Sequence, residues 1–245
     1  MTASEKQDPD RLSAPLMFAL HLVPGIIIGA VFHFLAWHFI QRGLTAYLAL
    51  LIVIPLCLVP LELGVLLLWS RRFTGRSSLL GAVRYRHRGT VVDYVALPIV
   101  LFMGCVVLSI FISPVSQYLG TQLSPWLPGW ATQQALLDGM ANCPPIQRSA
   151  TLLLAVLLSG FIAPVVEELY FRGFLLPRME HLGWMAPVVN SLLFAVYHFY
   201  FPENVPGIFL AFLLISYVAW LKKDWRIGAI VHSLSNLMGV LSVFT

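Results

Sequence analysis

Charge is what this sequence has least of. Only 11% of its 245 residues are Asp, Glu, Lys or Arg, against 59% hydrophobic, and the mean hydropathy is +0.83. A soluble domain of this length could not cover its surface with so few polar groups, so the chain reads as an integral membrane protein. Cysteine is scarce as well. Cys57, Cys105 and Cys143 are odd in number and far apart, which argues against a disulfide framework or a thiolate metal site and leaves packing as their role. Aspartate is missing from the apolar runs: Asp8, Asp10, Asp93, Asp138 and Asp224 all fall outside them, so no aspartate pair is expected at membrane depth. There is no GxSxG elbow, no HExxH helix, no nucleotide-binding loop, no fixed-period repeat and no low-complexity tract. A net charge of +4 without a recognition module gives no case for nucleic-acid binding.

What the chain does have is long apolar runs. A spanning helix needs roughly 20 apolar residues, and on that measure seven segments are expected near 16–40, 44–70, 94–118, 149–179, 184–201, 206–221 and 226–243. The fold class implied is all-α: a polytopic membrane bundle of about seven (seven or eight) transmembrane helices. Residues 1–15 read as a retained cytoplasmic tail, since the first apolar run is too long for a signal peptide. The stretch GTQLSPWLPGWATQQALLDGMANCPPIQ, rich in Gly, Pro, Trp and Gln, reads as a loop with a short interfacial helix, with Trp126 and Trp130 suited to the membrane–water boundary. Basic residues mark the cytoplasmic side. Arg71, Arg72, Arg76, Arg84, Arg86 and Arg88 fill one loop, and Lys222, Lys223 and Arg226 another. With seven spans, Lys6, Arg11 and Arg178 join them, leaving Arg42 and Arg148 outside. The N-terminus is therefore expected in the cytoplasm and the C-terminus outside, with the arginine loop able to touch anionic headgroups.

An ionisable residue within a span is expensive and marks a functional site by default. The fourth segment carries three in VVEELYFRG. Glu168 and Arg172, four apart, share a helical face and can pair. Glu167 points about 100° away and needs another partner. Two further clusters appear: Phe194 and His198 share a face of the fifth segment, and His232 and Asn236 share a face of the seventh. An unpaired acid, two imidazoles and a carboxamide on three helices suggest convergence. Counting from a turn near Leu182, Glu167 and His198 come out at one height. His232 lies shallower unless the end RGFLLPRMEHLG projects beyond the bilayer.

These residues carry a resemblance. EELYFR, FAVYH and HSLSN fit the EExxxR, FxxxH and HxxxN patterns, in the order and on the helices of the CPBP family of intramembrane endopeptidases, which includes CAAX proteases and bacteriocin-processing enzymes. The resemblance covers roughly residues 149–243, with residues 16–148 similar to that family's variable N-terminal helices; 149–245 would be the catalytic core. It implies an endopeptidase in which Glu167 and His198 activate a water, and His232 and Asn236 form an oxyanion hole. Glu168 and Arg172 would hold the helix, and Phe194 would pack beneath His198. The chemistry stands on its own terms, because amide hydrolysis needs a general base and donors aimed at the developing oxyanion.

Other readings stay open at this point. Glu167, His198 and His232 supply enough ligands for a catalytic Zn2+, although no cofactor is the favoured reading. A non-catalytic scaffold or immunity protein is a second alternative. An ion-coupled transporter is a third, against which stands the lack of inverted repeats. Isolated Glu62 could line a pathway or pair with a histidine of the first span, such as His33 or His38, a structural role being the favoured reading, and Glu203 is expected to be solvated. Ser233 and Ser235 read as packing residues. The resemblance allows a membrane-anchored or lipidated protein or peptide as substrate: a prenylated C-terminal peptide, a leader, or a C-terminal sorting tail. The short loops point to a bacterial inner membrane, with the endoplasmic reticulum as the alternative.

Overall fold

A computed structural model describes residues 11–244. Lys6, Asp8, Asp10 and most of the expected cytoplasmic tail lie outside the described residues. Every regular element among the described residues is helical, with one isolated antiparallel bridge, Arg86 to Asp224. Six helices are long and apolar enough to cross a membrane: α1 (Ala14–Ile40), α2 (Ala46–Thr74), α3 (Val91–Trp126), and, beyond the short α4 (Gln133–Ala141), α5 (Pro145–Leu182). After the shorter apolar α6 (Met185–Tyr197) come the last two, α7 (Pro202–Lys222) and α8 (Trp225–Phe244). The protein is an all-α polytopic membrane bundle.

Three elements depart from the sequence expectation. The fifth segment is a helix of only 13 residues, about 20 Å at 1.5 Å per residue, followed by the irregular stretch 198–204. The third helix starts earlier than its hydropathy implies, which puts Asp93 in its first turn, paired with Lys222 at 2.7 Å. The interfacial stretch contains the short α4, but its first residues continue α3. Trp130 turns inward against Phe32 and His33, while Trp126 stays exposed.

The two ends of the bundle are chemically distinct. At one end Leu12 N donates to Arg178 O, Arg84 N to Gly173 O, and His87 N to Lys223 O. Lys223 and the Tyr85 hydroxyl both reach Glu180, and Arg226 holds Asp224 at 2.8 Å. The loop arginines, Arg178, Lys223 and Arg226 thus gather at one arginine-rich end. At the opposite end Arg148 donates to Phe244 O, and Glu203 accepts from Gln133 N at 2.9 Å. Since α6 begins beside the arginine-rich end and Asn204 adjoins Glu203 at the other, residues 185–204 traverse the bundle despite their short helix.

Small residues set the packing of α1 on α6. A Cβ on Gly25 would lie 2.5 Å from Tyr197 O, and one on Gly29 would lie 3.1 Å from the Phe199 ring. Gly25 and Gly29 are four apart, the spacing that lets membrane helices approach closely.

Candidate active site

The site is built on an irregular helix. Within α5, wide π-type turns over Ala155–Ile162 and Leu169–Leu175 flank a short regular stretch, Ala163–Glu168. The first wide turn sends Ala163 N to Leu158 O. Residue 164 is proline and has no N–H to offer. Both effects leave the Ser159 carbonyl without a helical donor, and the Asn236 Nδ2 of α8 supplies one at 2.9 Å. A carbonyl can only accept, so this contact fixes which way the amide faces and leaves its second N–H free.

Glu167 and Glu168 diverge as the helical turn requires. Glu168 Oε1 accepts from Arg172 Nη1 at 3.1 Å, both side chains being fully buried. The guanidinium stacks over Phe194 at 4.3 Å and Phe212 at 4.8 Å and donates through Nε to Ser216 Oγ. Glu167 faces the two histidines instead. Its Oε1 lies 3.7 Å from His198 Nε2, and its Oε2 lies 3.7 Å from His232 Nε2. His232 thus stands level with Glu167 and His198, and the residues just after Glu168 are buried under the loop that docks Val83 and Arg84 on Gly173.

Local contacts orient both rings. His198 Nδ1 donates to Phe194 O at 2.9 Å, so the neutral ring presents a lone pair from Nε2 toward Glu167. Two acceptors face each other there, and a shared proton or a bound water must lie between them. His232 Nδ1 lies 3.3 Å from Glu168 Oε1 but makes no aligned hydrogen bond. Phe194 packs edge-on against His198, with centroids 4.8 Å apart, and against His232 at 6.1 Å.

A cavity of about 250 Å³ opens on this group, lined by Glu167, His198, His232 and Asn236. His198 is the more accessible of the central pair, its side chain 19% exposed against 4% for Glu167. Much of the remaining wall is apolar and comes from the N-terminal helices: Ile28 of α1, and Leu50, Val53 and Leu58 of α2. Residues 16–148, which carry no diagnostic motif, therefore help to shape the site. Among the described residues, no group of three or more His, Cys, Asp or Glu side chains is arranged to hold a metal ion. Each imidazole meets a different oxygen of Glu167.

Residues 149–238 match the family model described as type II CAAX prenyl endopeptidase Rce1-like. The match covers 90 of the 245 residues. No curated protein and no solved structure matches the chain. The matched stretch runs from within α5 to most of α8, holds all three motifs, and supports a membrane-embedded protease.

Two sequence expectations are corrected. Glu62 is fully buried, and its partner is the Tyr197 hydroxyl at 3.0 Å, not His33 or His38. His33 instead turns back to Gly29 O. Glu203 is buried, not solvated; it accepts from Gln133 N at the start of α4, where the helix dipole favours a carboxylate. The sequence reading also missed a polar network beneath the site. Ser216 Oγ, which holds Arg172, reaches Asn190 Oδ1 and Ser191 Oγ, and Asn190 Nδ2 contacts His21 Nε2 at 3.1 Å. Asn190 and Ser191 were visible as polar residues inside an apolar helix, but their partners come from α1 and α7.

Proposed function

We propose that the protein is an intramembrane endopeptidase that cleaves a peptide bond of a membrane-associated protein with a water activated by Glu167 and His198. One observation carries this reading: a carboxylate flanked by two imidazoles, each 3.7 Å away, on a cavity that the Asn236 amide also lines. The cavity is large enough for several waters at about 30 Å³ each. A water held between Glu167 Oε1 and His198 Nε2 gives its proton to that pair as its oxygen bonds to the scissile carbonyl carbon. Charge then develops on the carbonyl oxygen, and a proton on His232 Nε2 and the free N–H of Asn236 are the donors that meet it. Collapse breaks the C–N bond while the stored proton passes to the leaving nitrogen, yielding one acid and one amine. Glu168 and Arg172 position the rest, since Glu168 stands behind the His232 ring and Arg172 fixes Glu168.

The mechanism routes no step through a metal. Purified protein stripped with a chelator is expected to keep its cleavage activity; loss restored by Zn2+ would replace this reading with a metalloprotease. The decisive comparison is of membrane-peptide fragments from wild-type cells and from a Glu167→Ala strain. Fragments present in the first and missing in the second identify substrates. Identical fragments, with Glu167→Ala, His198→Ala and His232→Ala all folded and biologically effective, would point to a scaffold instead.

A further inference from the structure

The direction in which the cavity runs decides which substrates can reach Glu167. Along the helices that wall it, the lining residues run from the middle of the bundle, at Ile28, Leu58 and Phe212, toward the end opposite the arginines. Ser159 precedes Glu167 on α5, Asn236 follows His232 on α8, and Asn204 follows His198; Leu50 and Ile208 sit near the starts of α2 and α7. Toward the arginine-rich end the described residues are packed. Tyr170, Phe171 and Phe174 are completely buried directly below the site, and the loop through Val83 and Arg84 caps Gly173 behind them.

Basic loops mark the cytoplasmic face, so this cavity leads outward. Its wall is mostly apolar, and its volume of about 250 Å³ is below the roughly 300–1,000 Å³ that encloses a drug-sized ligand. It suits a short run of uncharged side chains better than a long lipid chain together with its peptide. Resting on the protease reading above, we propose that the scissile bond reaches Glu167 from the extracytoplasmic side, as the apolar stretch flanking the membrane anchor of an exported protein.

Sided labelling tests this directly. In a background with Cys57, Cys105 and Cys143 replaced by serine, Ile208→Cys and, as a second site, Asn204→Cys place a thiol at the mouth, and Arg88→Cys places one in the arginine-rich loop. Intact cells and inverted vesicles are treated with a sulfonated, membrane-impermeant maleimide. The mouth thiols are expected to label in intact cells and the loop thiol only in inverted vesicles. Labelled Ile208→Cys should then cleave at least tenfold more slowly than the same variant unlabelled. The proposal is overturned if the mouth thiols label only in inverted vesicles, label from neither side, or label without slowing cleavage. Sidedness is read without any substrate. External labelling in cells whose peptide fragments do not depend on Glu167 would therefore refute the protease reading while leaving the outward cavity in place.

Discussion

Asn236 and Arg172 show how differently two buried polar residues of one site can matter. Asn236 spends one N–H on the carbonyl that the π-turn and Pro164 leave without a donor, and keeps the other for the cavity. Asn236→Ala is therefore expected to lower kcat by about 10²–10³, the usual effect of losing one oxyanion donor. It should also destabilise the fold by about 1–3 kcal/mol, because Ser159 O is left unsatisfied. Turnover together with thermal unfolding in detergent separates the two effects, and a stability loss with unchanged kcat would make the residue purely structural. Arg172 is fully buried on Glu168. Arg172→Met strands that carboxylate and is expected to destabilise by about 3–5 kcal/mol. Adding Glu168→Gln removes the stranded charge, so the double variant should be more stable than Arg172→Met alone, though poorly active because His232 loses the group behind it. A double variant as unstable as the sum of its parts would show that the two residues do not act as a pair.

The elements bring these residues together through close backbone approach. Gly25 touches the carbonyl of Tyr197, the last residue of α6, so a methyl group there must separate α1 from the helix end that leads into His198. Gly25→Ala is expected to cost about 1–3 kcal/mol, as overpacking does, and to reduce activity by moving His198. Gly239→Ala on α8, whose Cβ would meet nothing within 4 Å, should be neutral or slightly stabilising. Unfolding midpoints of the two variants check this, and equal midpoints would mean that the α1–α6 contact carries no load. The same elements show where the sequence was readable. EELYFR and HSLSN sit within single helices and FAVYH runs one residue past the end of α6, so their spacing alone puts Glu168 with Arg172 and gives His198 and His232 their faces. The partners of Glu62, Glu203 and Asn190 are set by how distant helices pack, which no local period encodes. The GIIIG run at 25–29 was the one local signal of that packing available in the sequence.

Across the whole molecule, the short α6 carries the topology. A 13-residue helix falls well short of the ~30 Å hydrocarbon core. Irregular backbone at membrane depth is tolerated only where protein buries it or it lines a water-filled cavity. Residues 198–204 meet that condition, since His198, Tyr200, Phe201 and Asn204 all line the cavity. The segment from Met185 to Asn204 therefore completes the crossing that its apolar run implies, although its helix alone is too short to do so. Counting it gives seven crossings, and with the basic residues on the cytoplasmic side the N-terminus is expected in the cytoplasm and the C-terminus outside. A reporter that is active only after export, fused behind Phe244, should therefore be active. The same reporter fused after Arg76 should be silent, and one fused after Arg42 active. Activity after Arg42 with silence behind Phe244 would mean an even number of crossings and would remove Met185–Asn204 from the count. Activity after Arg76 with silence at the other two positions would invert the whole bundle and turn the Glu167 cavity toward the cytoplasm.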